Sequence, residues 1–439
     1  MKVFVGTFVH STANTPMVIL TDTALGIVNT KIAFIEAAEK LEQLKIDYGF
    51  TDSCIIYLTQ SQFMMPGMVD THIHASQLSN NGLKLDLPLL EWLESYTFPT
   101  EAMFSDLKVA QDIYPKVVER LLRNGTTTAS YYSTLHLEAS KFFAGLVHTK
   151  GQRALIGKVN MMVNCPAYYC EDSLEESLKD TEDFIQYVYN MQSPLIQPII
   201  TPRFAITCPT DQLKGLAKLA KKYSCHIQSH LCETKSEIEW IQELFPWSKS
   251  CTDVYDSTGL LGEKTIMAHC VWMKGTELER LKECNVGVAH CPNSNTSLCS
   301  GLCDVRKLLQ QGIKVGLGTD CSGGYSPSIL DSLRRALDVS RTLNMQHQDN
   351  HFLTLPEAFR LATLGGAQVV QMDDQIGNFM AGKEFDALLI DLEVPRSPLD
   401  IFAKDTIEDK IQKFLYNGDD RNIIQVHVAG RCVINQQNH

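Results

Sequence analysis

The sequence predicts an α/β fold: a (β/α)8 TIM-type barrel with a small composite β-sandwich domain formed by the N- and C-terminal segments. Three observations predict it. Eight nearly continuous apolar runs recur through the middle of the chain, segments of helical spacing separate most of them, and both ends carry short strand-like pieces outside this alternation. Runs without polar alternation suit strands covered by helices on both faces. Strand and helix alternating over roughly 300 residues suit closure into a barrel.

Residues 1–64 hold pieces such as "KVFVGTFV". The barrel is expected over 65–375, opening with "FMMPGMVDTHIH" and continuing through "GTTTASYY", "ALIGKVNM", "LIQPIITPRF", "CHIQSH", "TIMAHC", "VGVAHCPNS" and "IKVGLGTD". Between these runs, "DQLKGLAKLAKKY", "KSEIEWIQELF" and "GTELERLKECN" have apolar positions at helical spacing, and "SILDSLRRALDVSRTL" follows the eighth. Residues 376–439 contain "KEFDALLID" and "NIIQVHVAGRCVI". A closed barrel has no edge for these strands, so the segments 1–64 and 376–439 are expected to pair with each other.

Composition excludes several functions. With 439 residues, 44% apolar and 21% charged, the chain has the balance of a soluble globular protein. A net charge of −12 and no Lys/Arg cluster argue against a nucleic-acid partner. No apolar run approaches the roughly 18 residues of a membrane helix. The opening "MKVFVGTFVHSTANT" is too interrupted for a signal peptide. The 14 cysteines are spread along the chain, so reduced thiols in a cytoplasmic protein are expected. "CSGLC" is wider than a zinc-knuckle spacing and has no second pair.

The ends of the runs carry the chemistry. The first ends in His72 and His74, the fifth in His230, the sixth in His269, the seventh in His290 and the eighth in Asp320. Residues two apart on a strand face one way, and the strands of a barrel present their C-terminal ends to a common face. Three neutral imidazoles and a carboxylate around an open position form a catalytic zinc arrangement. Such an ion lowers the pKa of a bound water toward neutrality. A single strand-end histidine is commonly a hydrogen-bonded filler, but five with an aspartate, among 13 histidines, are not explained that way.

Glu233, three residues past His230, is placed to act as general acid and base; alone it also reads as a solvated carboxylate at a helix start. His269 is expected to orient the water or serve as an outer ligand. Asp320 is expected to bind the ion and accept the water's proton, and His290 to be structural or outer-shell. "TPRF" sets Arg203 beside Phe204, a planar cation suited to a carbonyl or carboxylate and a ring whose face suits a flat heterocycle. Gln77 can both donate and accept. Their plainer readings are a surface salt bridge, a core phenylalanine and a solvated glutamine. "GLGTDCSGG" lacks the Lys-Ser/Thr of a phosphate loop, and neither H-x-E…P-C-x-x-C nor G-x-S-x-G occurs.

These stretches resemble the amidohydrolase superfamily, and within it the guanine-deaminating branch, over almost the whole chain. The matches are "PGMVDTHIHASQ", "DLPLLEWLESYTFP", "NGTTTASYY", "TPRF", "HIQSH", "MAHC", "AHCPNSN", "GLGTD" with "GGYS", "FRLATLGGAQ" and "GKEFDA". The resemblance implies hydrolytic deamination of guanine to xanthine and ammonia by a zinc-activated hydroxide. His72, His74, His230 and Asp320 match the zinc ligands. Glu233 matches the proton shuttle, with His269 and Asp320 beside it in catalysis, while Gln77, Arg203, Phe204 and Glu233 match positions that hold guanine. Binuclear relatives end the fourth strand with a carboxylated lysine; "TPRF" there implies one zinc ion per chain. A cytoplasmic homodimer is also implied. The spacer "LSNNGLKL" matches less closely, which leaves the loop 78–85 over the pocket open. Two alternatives stand: an amidohydrolase acting on another cyclic amidine or a triazine, and a catalytically inactive scaffold. The filled ligand positions argue against the scaffold.

Overall fold

A computed structural model describes residues 1–348 and 351–436; residues 437–439 of the expected C-terminal segment lie outside it. Strands β1 (Lys2–His10), β2 (Val18–Val28), β3 (Lys31–Ala37), β4 (Ile55–Tyr57) and β5 (Gln62–Pro66) precede the barrel. The barrel strands are β6 (Met68–His74), β7 (Thr126–Tyr132), β8 (Arg153–Gly157), β9 (Val159–Asn160), β10 (Ile196–Pro202), β11 (His226–Leu231), β12 (Thr265–His269), β13 (Gly287–His290) and β14 (Lys314–Leu317). Strands β15 (Ala387–Asp391), β16 (Ile423–Val428) and β17 (Arg431–Asn435) follow.

The two ends of the chain form one sheet in the order β17-β16-β15-β5-β1-β2-β3, with β4 beside β1. Its centre is the antiparallel pairing of β15 with β5, where Leu388 faces Met65 and Leu389 faces Met64. Phe4, Phe8, Met64, Phe385 and Leu389 fill its apolar core. A single residue, Gly67, separates β5 from β6. A Cβ there would stand 2.1 Å from Thr127 Oγ1, so only glycine lets the chain pass from sheet to barrel at this point.

The barrel strands run parallel in the order β14-β13-β12-β11-β10-β8-β7-β6. The ring is closed where Asp320 N–H donates to the His72 carbonyl at 2.9 Å and Thr71 Oγ1 donates to the Leu317 carbonyl at 2.9 Å. The run "ALIGKVNM" is not one strand: it breaks at Lys158, whose buried ammonium is held by Glu171 Oε1 at 2.5 Å. Helices cover the outside through apolar stripes. In Leu107–Arg123 the buried Ala110, Tyr114, Val117, Val118, Leu121 and Leu122 recur every three or four positions.

Inside the barrel, Val69, Leu155, Ile199, Ile266 and Ala289 form an apolar layer with Ala367, Val369, Met372 and Ile376. Along β6, β12 and β13 the strand-end histidines His74, His269 and His290 follow this layer toward the C-terminal end. Among the described residues, no helix is long and apolar enough to cross a membrane. Cys165 and Cys170, five residues apart, are placed as a pair within bonding reach. The loop after β9 folds back and brings this pair together.

Candidate metal and active site

Four side chains from three strand ends converge. Alternation along β6 points His72 and His74 to one side, β11 supplies His230, and Asp320 follows β14. All four are buried, and one donor atom from each lies within 4.8 Å of all the others. Asp320 Oδ1 stands 3.1 Å from His72 Nε2 and 3.5 Å from His74 Nε2. His74 Nε2 faces His230 Nε2 at 3.2 Å.

This donor set fits a divalent cation. His230 Nδ1–H donates to the Arg203 carbonyl at 2.6 Å, which leaves the Nε2 lone pair for a ligand. Buried His72 Nε2 faces the Asp320 carboxylate without an aligned hydrogen bond, a cost that a shared cation removes. Burial lowers the pKa of His72, His74 and His230 and so favours the neutral imidazole that ligates. For Asp320, burial works to raise the pKa, yet the imidazoles led by His72 hold the carboxyl well below its usual range. Mixed nitrogen and oxygen donors of this kind suit a first-row divalent ion.

Beside the group stand Glu233 and His269. Glu233 Oε1 accepts from Ser300 Oγ at 2.9 Å, and Oε2 lies 3.5 Å from His269 Nε2. Burial raises the Glu233 pKa, with His269 pulling the other way. It is a buried side chain, so its plainer reading as a solvated carboxylate fails. Its backbone N–H is fixed by Glu237 Oε2 at 2.7 Å. His269 Nδ1–H donates to Asn295 Oδ1 at 2.8 Å, which turns Nε2 toward Glu233 and toward Asp320 Oδ2 at 3.8 Å. Burial opposes the charged form of His269, but Glu233 and Asp320 outweigh it and raise the pKa. His269 and Asp320 both adopt left-handed backbone, with φ of 71° and 46°, a strained conformation for non-glycine residues.

A cavity opens onto these groups and is lined by Gln77, Arg203, Phe204 and Glu233. The helical excursion between β6 and Leu107–Arg123 roofs it with Leu89, Trp92 and Leu93. The loop 78–85 is tied into this roof: Trp92 Nε1–H donates to the Leu83 carbonyl at 3.1 Å and Asn81 Nδ2–H to the Tyr325 carbonyl at 2.8 Å. Arg203 is not part of a surface salt bridge, nor is Gln77 a solvated side chain: both are buried. Arg203 Nη1–H donates to Glu101 Oε2 at 2.5 Å, and Gln77 Nε2–H donates to Glu101 Oε1 at 2.7 Å. The Phe204 ring meets His230 edge-on at 6.3 Å.

His290 is buried at the end of β13, outside the four-donor group, with neither ring nitrogen hydrogen-bonded. Burial draws its pKa down to about 3. Three residues at the site carried no functional signal of their own in the sequence. Asn295 lies in the "HCPNSN" motif without an evident role, and Ser300 and Glu101 belong to no motif whose chemistry names them.

A family model described as the amidohydrolase family matches residues 63–433. The chain is similar to guanine deaminase of Mus musculus, with 47% identity covering 98% of this chain and 96% of that one. Guanine deaminase of Escherichia coli is 38% identical over 85% of this chain and 83% of its own length. Among solved structures, guanine deaminase from C. acetobutylicum with guanine bound in its active site superposes with a TM-score of 0.91 at 35% identity, covering 98% and 99% of the two chains.

Proposed function

The chain belongs to the amidohydrolase family, and from that premise we propose that it hydrolyses guanine to xanthine and ammonia, a step of purine catabolism or salvage. The observation that carries this function is the meeting in one cavity of Arg203, Gln77 and Phe204 with Glu233 and the His74–His230–Asp320 wall of the donor group. The near-full-length likeness to guanine deaminases supports it.

His72, His74, His230 and Asp320 would hold one zinc ion per chain, supported by three neutral imidazoles and a carboxylate. Arg203 near the end of the fourth barrel strand cannot be carboxylated as a bridging lysine can, which supports a single ion. When bound, the ion would lower the pKa of a coordinated water and polarise it.

Arg203 would donate to the guanine carbonyl, Gln77 would meet a ring edge, and Phe204 would pack against the ring. Water adds to C2, the carbon bearing the exocyclic amine. Glu233, steadied by Ser300, protonates N3, so the electron pair of the C2–N3 double bond has somewhere to go. Asp320 and His269 take the proton that the water gives up. The hydroxyl proton of the C2 adduct then passes through Glu233 to the amine, the C2–N bond breaks as the C2 carbonyl forms, ammonia leaves, and the proton held by Asp320 and His269 returns to Glu233. A homodimer in the cytoplasm accompanies this activity by family resemblance, and light scattering tests the dimer.

The direct experiment mixes purified protein with guanine and follows both ultraviolet conversion to xanthine and ammonia release. Turnover is expected, is lost on metal removal and returns with zinc, and metal analysis finds one zinc per chain. No ammonia from guanine with metal fully bound overturns the assignment, and a panel of other purines, pyrimidines and triazines then identifies the substrate.

A further inference from the structure

Glu101 takes no part in the reaction as written, yet both residues expected to grip the base meet on it. It sits on the short helix Phe98–Ala102 and is fully buried. One carboxylate oxygen accepts from Arg203 Nη1 at 2.5 Å and the other from Gln77 Nε2 at 2.7 Å. Gln77 Oε1 in turn accepts from the Ser322 backbone N–H at 3.3 Å. The same helix places the Phe98 ring 5.1 Å from the guanidinium carbon of Arg203.

A carboxylate offers acceptors only, so both partners must turn a donor toward it. Ser322 offers a donor on the other side, which stops the Gln77 amide from flipping. What remains is the second Nε2–H of Gln77 and further N–H groups of Arg203, and both residues line the cavity. Each therefore has a donor left to offer a ligand.

Resting on the guanine assignment above, we propose that Glu101 is a positioning residue that sets substrate choice, locking Gln77 and Arg203 as paired donors that select a purine edge bearing two acceptors. Guanine carries O6 and N7 on that edge. In 2,6-diaminopurine the leaving amine at C2 is kept, but a 6-amino donor replaces O6 and meets a donor. Sites built around buried hydrogen-bonding groups reject such mismatches strongly, because those groups are left unpaired.

The test is Glu101→Gln in the full-length, zinc-loaded protein, assayed on guanine and on 2,6-diaminopurine beside wild type. The substitution keeps the shape but turns one acceptor into a donor, which frees the Gln77 amide to flip. We expect KM for guanine to rise by at least about 10-fold while kcat changes far less, and the preference in kcat/KM for guanine over 2,6-diaminopurine to fall by at least about 10-fold. Metal content stays at the wild-type level. Glu101→Asp, which keeps the charge one methylene short, should recover part of the selectivity. A folded, metal-replete Glu101→Gln with unchanged KM and preference overturns the proposal. So does failure of both variants to fold, which makes the ion pair purely structural. Wild-type protein inactive on guanine overturns the function on which the proposal rests, and so the two failures are told apart.

Discussion

Glu233 holds Ser300 with one oxygen and faces His269 at 3.5 Å with the other, so it can pass a proton without belonging to the donor group around Asp320. Replacing it by glutamine keeps the shape and removes the proton. Glu233→Gln is expected to lower kcat by roughly 10²–10⁴-fold with metal content unchanged. Steady-state kinetics and metal analysis on one preparation check this, and wild-type kcat would remove Glu233 from the proton path. The donor residues were legible in the sequence because each stands at or just past the end of an apolar run, where strand alternation and barrel convergence say where it points. Glu101 was not legible. It lies 102 positions from Arg203 and 24 from Gln77 along the chain, and it sits on a helical excursion with no periodic signal. Asn295, on the short helix Pro292–Ser297, and Ser300, in the loop after it, meet His269 and Glu233 only through the fold, which the local sequence does not determine.

At the scale of elements, the runs of unbroken apolar residues revealed the barrel strands because both faces of each are covered. They did not reveal the interruption at Lys158, since nothing in the run shows that its ammonium turns aside to a buried partner, Glu171. Pairing of the terminal strands was inferred from the closure of the barrel, and it depends on an ion cluster that the sequence does not show. Arg153, at the start of β8, donates through Nε to Asp386 Oδ2 at 3.1 Å and through Nη2 to Glu384 Oε2 at 2.5 Å, just before β15. Asp386 also accepts from the Ala429 backbone N–H at 2.7 Å. One buried guanidinium thus ties barrel to terminal sheet. Arg153→Met strands two carboxylates without their cation and should destabilise the protein by roughly 3–5 kcal/mol. Arg153→Lys should lie between, because an ammonium cannot bridge both carboxylates with a planar fork. Thermal unfolding measures the loss. An unchanged midpoint in Arg153→Met would mean that the cluster does not hold the two units together.

Across the whole molecule, the barrel and the terminal sheet share one kind of pH liability. His10 on β1, His226 on β11 and His427 on β16 are buried away from the four-donor group, and burial first, then a nearby lysine, draws each pKa down to about 4. His10 is the Nδ1 acceptor for the Phe379 N–H, and His427 packs against Phe4 and Phe385. An unfolded chain protonates these imidazoles below about pH 6.5, whereas the folded protein refuses the proton until about pH 4. The unfolded state therefore binds more protons between those values, and stability is full above pH 6.5 and falls as pH drops toward 4. At pH 5.5 each histidine accounts for a loss on the order of 1 kcal/mol relative to pH 7.5. Acid also weakens metal binding by protonating ligands, so the decisive quantity is a difference between variants at fixed metal. Thermal midpoints of wild type and His427→Gln are compared at both pH values in zinc-replete buffer. The glutamine variant has a lower midpoint at pH 7.5 if the ring's packing matters, but its further drop on acidification is smaller than that of wild type. Equal drops in the two proteins would show that His427 does not stay neutral in the folded state and that the acid sensitivity lies elsewhere.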